Sequence, residues 1–367
     1  MGVLMGTEIK KENMISPSLV FYLIHSMQIG VSILGFQNGL AKIVGHDAWI
    51  IVIVAGLFMH IVIYLIYKLL SYKETSILAV HNGLFGTFVG NSMTFIFLLY
   101  YFGIGILVIR VYIEIVQVWV FPQLMTWTFG IIFALIIYSI ISGGFRTVVG
   151  MSFFGVVIPF YLTLTFLLPL QYAHYTRFLP IWNHTLGAMM DGTVAAIPLF
   201  LGISTLLFYY PFIKNPKKSQ KWAHFGNLFS TIVYLSVTAI TTAYYGSEQL
   251  KRVLYPTLGT WKIVEFPFAE RFEFIGIASW LFVIMPNCCL PIWCIGYSVK
   301  QMFKLKHRIT LIVTLILIYP CLILLETHQQ IETFSFWVVH LGIILLCIYL
   351  PLLTFIQVVK NKWGKKQ

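Results

Sequence analysis

Ten long apolar stretches constrain the fold of this chain more than any other feature of its sequence. Each is close to the roughly 20 residues that a helix needs to cross a bilayer. Hydrophobic residues make up 59% of the chain and charged residues 10%, whereas soluble domains carry about 25% charged residues. The sequence therefore predicts an all-α integral membrane protein. Its predicted spans cover residues 15–41, 47–70, 88–113, 122–142, 147–170, 185–211, 223–246, 271–300, 309–325 and 333–358.

The distribution of basic residues predicts the orientation of these spans. With the N-terminus assigned to the cytoplasm, most of the 24 Lys and Arg residues fall on the cytoplasmic side, as the positive-inside rule requires. An even number of spans then places both termini in the cytoplasm. Two connectors are longer than the rest: residues 71–87 are predicted to form an interfacial helix or loop, and residues 247–270 a partly helical outer segment that could act as a lid.

A short phrase occurs twice, each time in the middle of an apolar span. Residues 30–36 (GVSILGF) are echoed by residues 202–208 (GISTLLF), an offset of 172 residues in a chain of 367. Glycine and serine at these places predict interrupted helices in spans 1 and 6. Paired interruptions at matching positions of two halves point to a transporter-like site at the bilayer midplane. The alternative is close helix packing through small residues, which is common in membranes.

Interrupted helices predict the chemistry of such a site. Freed backbone groups survive in a membrane only inside protein or along a cavity. A half-helix N-terminus favours an anion such as a carboxylate, and freed carbonyls can accept from an ammonium group. The predicted ligand is thus a small molecule such as an amino acid. Its contacts are predicted at Gly30, Val31, Ser32, Ile33, Gly202, Ile203, Ser204 and Thr205, with Leu34, Tyr100, Tyr101, Ile104 and Leu201 shaping the apolar side.

A charged residue within a span raises the free energy of inserting the helix into the membrane, so it usually has an ionic partner or a function. Arg110 and Glu114 lie four residues apart in span 3, a spacing that predicts an intrahelical ion pair at the interface. Asp191, in the outer half of span 6, lies either on an access path or at the headgroup level. Glu270, Arg271 and Glu273 open span 8, where acidic residues complement the helix dipole, and their grouping suggests a contact with a neighbouring loop or chain.

Several classes of function are excluded by what the sequence does not contain. We find no phosphate-binding loop, no GxSxG or HExxH motif and no facing pair of carboxylates, so the chain is predicted not to be an enzyme and to need no cofactor. The basic clusters at span ends favour a bilayer surface over nucleic acid. The five cysteines all fall in apolar segments and are expected to pack as thiols, without a metal site or a disulfide framework.

The chain resembles the B subunits of spore germination nutrient receptors, a GerAB-type branch of the amino acid–polyamine–organocation transporter superfamily. The resemblance covers roughly residues 13–360, and its most specific piece is LYPT at 254–257 followed by FAERFE at 268–273. FLG at 200–202, YP at 210–211 and the Arg110…Glu114 pair support it. Two departures lie in the predicted pocket: no proline follows the span 1 break, and Ser204 stands where some relatives carry glutamate.

That resemblance implies a LeuT-like fold of two inverted five-helix repeats, here at about 15–170 and 185–358 of a single polytopic domain spanning residues 1–367. It implies a subunit that senses a nutrient in the inner membrane of a spore. It also implies an A subunit and a lipoprotein C subunit as partners. The alternative is an amino acid permease or facilitator. Residues 147–170 contain no Lys, Asp or Glu to carry a coupling proton, and span 8 offers Pro286-Asn287 in place of paired hydroxyls, so sensing is favoured.

Overall fold

The computed structural model describes residues 9–72, 75–264 and 271–363. For residue 363 it describes the backbone only. Eight helices within these ranges are long and apolar enough to cross a membrane, and two shorter apolar helices, Leu19–Gln28 and Thr126–Ser142, accompany them. Together they account for the ten predicted spans, since Leu19–Gln28 is the first half of span 1. One of the eight, Phe36–Ser71, contains both the second half of span 1 and span 2. A 3₁₀ turn at Gly45–Asp47 separates the two parts.

Six of the spans contain a single long helix. They are span 2 at Ala48–Ser71, span 3 at Ile77–Trp119, span 4 at Thr126–Ser142, span 7 at Pro216–Tyr245, span 8 at Phe272–Phe303 and span 9 at His307–Leu324. Span 3 has non-helical dihedral angles at Gly86 (φ 79°, ψ 168°). This turn separates residues 77–85 as a short helix, in the stretch where an interfacial helix or loop is predicted.

The other four spans are interrupted. Span 1 runs through Leu19–Gln28, a 3₁₀ turn at Val31–Leu34 and Phe36–Val44. Span 5 runs through Phe145–Val157, Phe160–Thr165 and Leu168–Tyr172. Span 6 has Leu186–Ala196, a 3₁₀ helix at Ile197–Thr205, Leu206–Tyr209 and Tyr210–Phe212. Span 10 has His328–Ile343, a π-helical stretch at Ile344–Tyr349 and Leu350–Trp363.

Short helical turns fill the connectors: Lys11–Asn13, Tyr175–Phe178, Ser247–Leu250 and Pro256–Trp261. The last two lie in the predicted outer segment, of which residues 265–270 are outside the described ranges. Within those ranges the β contacts amount to one isolated parallel bridge, between Ile15 and Ile213. The prediction of an all-α chain is confirmed.

The two ends of the helix bundle differ in character. The end that carries residues 173–185 and 246–264 is here called the loop face. Its connectors bind neighbouring segments: Asn38 Nδ2, in helix Phe36–Val44, donates to Leu250 O at 2.8 Å. The buried Asp47 carboxylate accepts from the backbone N–H groups of Trp182 and Asn183. The opposite end, which carries Ile15 and Lys214, is here called the basic face. There the backbone N–H of Lys214 donates to Ile15 O at 2.9 Å. That the basic face lies in the cytoplasm stays a prediction.

Candidate functional site

The interrupted stretches of spans 1 and 6 touch through their backbones. A Cβ atom added to Gly202 would lie 2.1 Å from the carbonyl oxygen of Met27 and 2.5 Å from its carbonyl carbon. Backbone atoms cannot move aside as a flexible side chain can, so this position requires glycine. The close-packing interpretation of the repeated phrase therefore applies to Gly202, which lies in a 3₁₀ helix and packs against the last turn of helix Leu19–Gln28.

A cavity of about 550 Å³ lies beside this crossing. Spans 1, 3 and 6 supply most of its wall, and spans 8 and 10 and residues 254–255 complete it. Nine of the predicted contact residues line the cavity: Gly30, Val31, Ser32, Tyr100, Tyr101, Ile104, Leu201, Gly202 and Ser204. Both tyrosines of span 3 are among them.

Four other predicted contact residues are buried away from the cavity wall. Ile33, Leu34 and Ile203 belong to the hydrophobic core. Thr205 donates its hydroxyl proton to Gly202 O at 2.9 Å, within its own 3₁₀ helix. Each interrupted stretch therefore presents only one side to the cavity, which a list of consecutive residues cannot anticipate.

Side chains from spans 7 and 8 satisfy the carbonyl groups that the break in span 1 leaves free. Tyr234 donates its hydroxyl to Gln28 O at 2.6 Å, and Trp280 Nε1 donates to Gly30 O at 3.2 Å. The Asn287 amide nitrogen lies 2.9 Å from Ser26 O and 3.0 Å from Ile29 O. The sequence predicts that these carbonyls are free to accept from an ammonium group, whereas side chains already donate to them. An ammonium group would need their second lone pairs.

The second half of span 1 presents its N-terminus to the cavity. Helix Phe36–Val44 begins after Gly35, which forms no side-chain cap with the described residues. Gly35 and Phe36 line the cavity, and so does Lys42 further along the same helix. The positive end of a helix dipole, together with a lysine ammonium group, favours a carboxylate.

Ionisable side chains gather where the cavity approaches the loop face. The carboxylate of Glu114 accepts from His328 Nδ1 at 2.8 Å, and His328 Nε2 lies 3.2 Å from Glu332. Tyr255 donates its hydroxyl to Glu114 at 3.4 Å, and burial, reinforced by Glu114, raises the pKa of Tyr255, which keeps it a neutral donor. A second cavity of about 520 Å³ adjoins here, and Asp191 lines it, which agrees with the access-path alternative.

The partners of Arg110 differ from the prediction. Arg110 is buried and donates to the carbonyl oxygens of Leu325 and Glu326, while Glu114 pairs with His328. The expected intrahelical ion pair is therefore wrong. Its physical reason is that span 9 ends at Leu324, leaving C-terminal carbonyls that attract a cation.

At the start of span 8, Arg271 Nε lies 3.1 Å from the Glu273 carboxylate, and its guanidinium covers the Phe274 ring at 3.8 Å. Arg271 and Glu273 thus form a local pair, and the predicted contact with a neighbouring loop or chain stays a prediction. Glu270 lies outside the described residues.

Aromatic side chains close the bundle between the breaks and the basic face. The rings of Phe145 and Trp293 lie 4.4 Å apart, those of Phe212 and Trp293 5.1 Å, and those of Trp293 and Tyr297 5.2 Å. Tyr209 stacks on Phe145. The cavity therefore approaches the loop face, while packed rings separate it from the basic face.

Sequence reasoning missed the residues that shape the break from a distance. Tyr234, Trp280 and Asn287 lie more than 200 residues from their acceptors in the chain. One signal was available, because Pro286-Asn287 places a proline and an amide in the middle of an apolar span. His328 and Glu332 carried no comparable signal.

The fold and the cavity define a class, that of polytopic transporter-like proteins with interrupted helices in spans 1 and 6. A substrate-bound outward-open sialic acid symporter superposes with a TM-score of 0.66, at 13% identity, over 92% of this chain and 79% of the symporter. MhsT in complex with L-phenylalanine superposes with a TM-score of 0.61, at 12% identity, over 94% of this chain and 89% of MhsT. These neighbours confirm the predicted LeuT-like membrane fold.

The sequence comparisons place the chain within that class. A family model described as spore germination protein matches residues 14–331. Spore germination protein GerQB of Bacillus cereus is 38% identical over 355 residues, which are 97% of this chain and 99% of GerQB. Spore germination protein A2 of Bacillus subtilis (strain 168) is 22% identical, over 86% of this chain and 87% of A2. The chain belongs to the spore germination protein family, is a membrane protein and is not an enzyme.

Proposed function

We propose that this chain is the nutrient-sensing subunit of a spore germination receptor and that it binds a small molecule between spans 1 and 6. The observation that carries the proposal is the cavity at the crossing of the two breaks. Its volume of about 550 Å³ is typical of small-molecule sites, which are mostly apolar with a few placed polar groups. A ligand there would contact both interrupted helices at once.

The ligand class that fits this wall is an amino acid. The start of helix Phe36–Val44 and the Lys42 ammonium group suit a carboxylate. Tyr100, Tyr101 and Ile104 offer an apolar surface for a side chain. MhsT, which shares the fold, was solved with L-phenylalanine. The remaining parts of the proposal follow the family: an inner spore membrane location with both termini in the cytoplasm, and A and lipoprotein C subunits as partners.

Sensing requires that the ligand favour one of two arrangements of the helices, which it can do only by binding one of them more tightly. The cavity approaches one face and is separated from the other by the Phe145, Phe212 and Trp293 rings. A ligand that draws the interrupted helices together over the cavity would change this arrangement. The receptor partners would then respond to the new shape of the loop face.

The second candidate function is an amino acid permease or facilitator. It is favoured by the fold, which is shared with a Na⁺-coupled symporter. Sensing and transport differ in one measurable respect, the movement of ligand across the membrane. Uptake of each bound compound into proteoliposomes therefore separates the two.

The test is ligand binding by the purified protein in lipid nanodiscs, with a pool of L-amino acids and a pool of nucleosides as probes. Ile104→Trp fills the cavity, and Leu99→Trp, on the same helix but 49% exposed, is the matched control. We expect a saturable rise in Tm with the amino acid pool for the wild type and Leu99→Trp, and none for Ile104→Trp. Equal responses of the two variants would place the site elsewhere, and accumulation in proteoliposomes would identify a permease.

A further inference from the structure

The Asn287 side chain has an unusual set of acceptors. Its amide nitrogen lies 2.9 Å from Ser26 O, 3.0 Å from Ile29 O and 3.0 Å from Val283 O. Two of these carbonyls belong to the end of the first half of span 1, and the third belongs to span 8. An amide group has two N–H donors, so three converging oxygens share two protons. Asn287 is only 5% exposed.

Three carbonyl oxygens that converge from a helix end and a neighbouring helix form an arrangement suited to a small cation. In transporters with discontinuous helices, unwound carbonyls and half-helix C-terminal ends coordinate Na⁺. The end of a helix also carries partial negative charge. Within the described residues, no group of three or more His, Cys, Asp or Glu is placed to hold a metal ion. Around Asn287 it is the backbone that offers converging ligands.

We propose that the Asn287 amide takes the place of a cation in this carbonyl cluster, which keeps span 1 joined to span 8 without a bound ion. The amide supplies positive hydrogen atoms where a cation would supply positive charge, and it is covalently part of the chain. The break in span 1 would then have the same shape whatever ions are present. This inference concerns the cation alone and does not depend on the nutrient proposed above.

The close fit of Gly30 supports this role. A Cβ atom on Gly30 would lie 3.1 Å from Asn287 Oδ1, so the Asn287 side chain fills the space directly against the break. Three other side chains serve the break, Tyr234, Thr257 and Trp280, and each donates to one carbonyl there. Asn287 alone of these four donates to two carbonyls of span 1 and one of span 8.

The experiment compares Tm in sodium chloride and in choline chloride at equal ionic strength, for protein in lipid nanodiscs without nutrient. We expect the wild type to melt at the same temperature in both salts. Asn287→Asp replaces the donor by a carboxylate among three carbonyls, and this variant should gain a saturable rise in Tm that sodium produces and choline does not. Asn227→Asp is the matched control, since Asn227 is a buried amide that donates to one backbone carbonyl, Gly56 O, and accepts from Gln28 Nε2, without touching the carbonyl cluster itself. It should show no such gain.

Asn287→Ser is the second variant, in case the aspartate variant does not fold, and it should also gain the sodium-specific rise because it leaves the carbonyls without their amide donor. A saturable sodium-specific rise in the wild type would overturn the proposal, because an ion would then bind with the amide in place. The absence of the rise in folded Asn287→Asp or Asn287→Ser would also overturn it. So would an equal rise in Asn227→Asp, which would show that the effect has no connection with the carbonyl cluster.

Discussion

The two halves of the chain use the same phrase in different ways. In span 1 the helix ends at Gln28 and resumes at Phe36, and its carbonyls are satisfied by side chains of other spans. In span 6 the chain stays helical through the break, as a nine-residue 3₁₀ helix at Ile197–Thr205. Such long 3₁₀ runs are uncommon, and within a helix they often mark a functional hinge.

The difference teaches that a break can be maintained by its neighbours or by its own backbone. The first break depends on Tyr234, Trp280 and Asn287. The second keeps local hydrogen bonds, such as Thr205 to Gly202 O, and depends on the space that Gly202 leaves for Met27. Mutations should therefore act through donor side chains at the first break and through steric fit at the second.

The largest effect is expected at Gly202. In Gly202→Ala the added Cβ meets the Met27 backbone at 2.1 Å, so the two spans must separate, at a cost at or above the roughly 1–3 kcal/mol of ordinary overpacking. The measurements are the yield of folded protein and its Tm. Gly39→Ala is the control, because its Cβ would have no neighbour within 4 Å, and a helical alanine is favoured by about 0.5–1 kcal/mol. A wild-type Tm for Gly202→Ala would contradict the close crossing.

Gly30→Ala should be milder than Gly202→Ala. The nearest atom to its Cβ is Asn287 Oδ1 at 3.1 Å, and a side chain can shift where a backbone carbonyl cannot. We expect a folded protein with a lower Tm. If Gly30→Ala proved more damaging than Gly202→Ala, the first break would be the more crowded of the two and the comparison would be reversed.

Tyr234→Phe tests the donors of the first break. It removes the hydroxyl that serves Gln28 O at 2.6 Å and contacts Ser32 at 3.2 Å. Leaving a buried acceptor unpaired costs about 1–3 kcal/mol. Amide hydrogen exchange in residues 28–32 should therefore become roughly tenfold faster or more. Tyr64→Phe, at a 51% exposed position, should change nothing, and an unchanged rate in Tyr234→Phe would show that the break does not need this donor.

Thr205→Val should have the smallest effect. It removes the hydroxyl that donates to Gly202 O at 2.9 Å, a local bond worth about 0.5–1.5 kcal/mol, within a helix that keeps its backbone geometry. The loss of stability, measured by thermal unfolding, should be smaller than in Tyr234→Phe. The opposite order would mean that the second break also relies on side-chain donors.

The sequence predicted much of the fold because long apolar runs and glycine interruptions are local signals. Gly30 and Gly202 marked both breaks correctly. The shape of the site was less accessible, because Asn287 and Tyr234 reach span 1 from far along the chain. Arg110 was assigned to Glu114 by helical spacing, whereas the free carbonyls after span 9 attract it. The spacing of two residues in the sequence predicts whether they are neighbours on one helix. It does not predict which other helix ends nearby.

The central claim is that a nutrient binds where the two breaks meet. The most direct measurement is amide hydrogen exchange of the wild-type protein in nanodiscs, with and without the pool of L-amino acids. The account predicts slower exchange in residues 28–35 and 199–206 together, with no such change in Ile104→Trp. Binding of the pool with protection confined to other segments, or with protection of only one break, would contradict it.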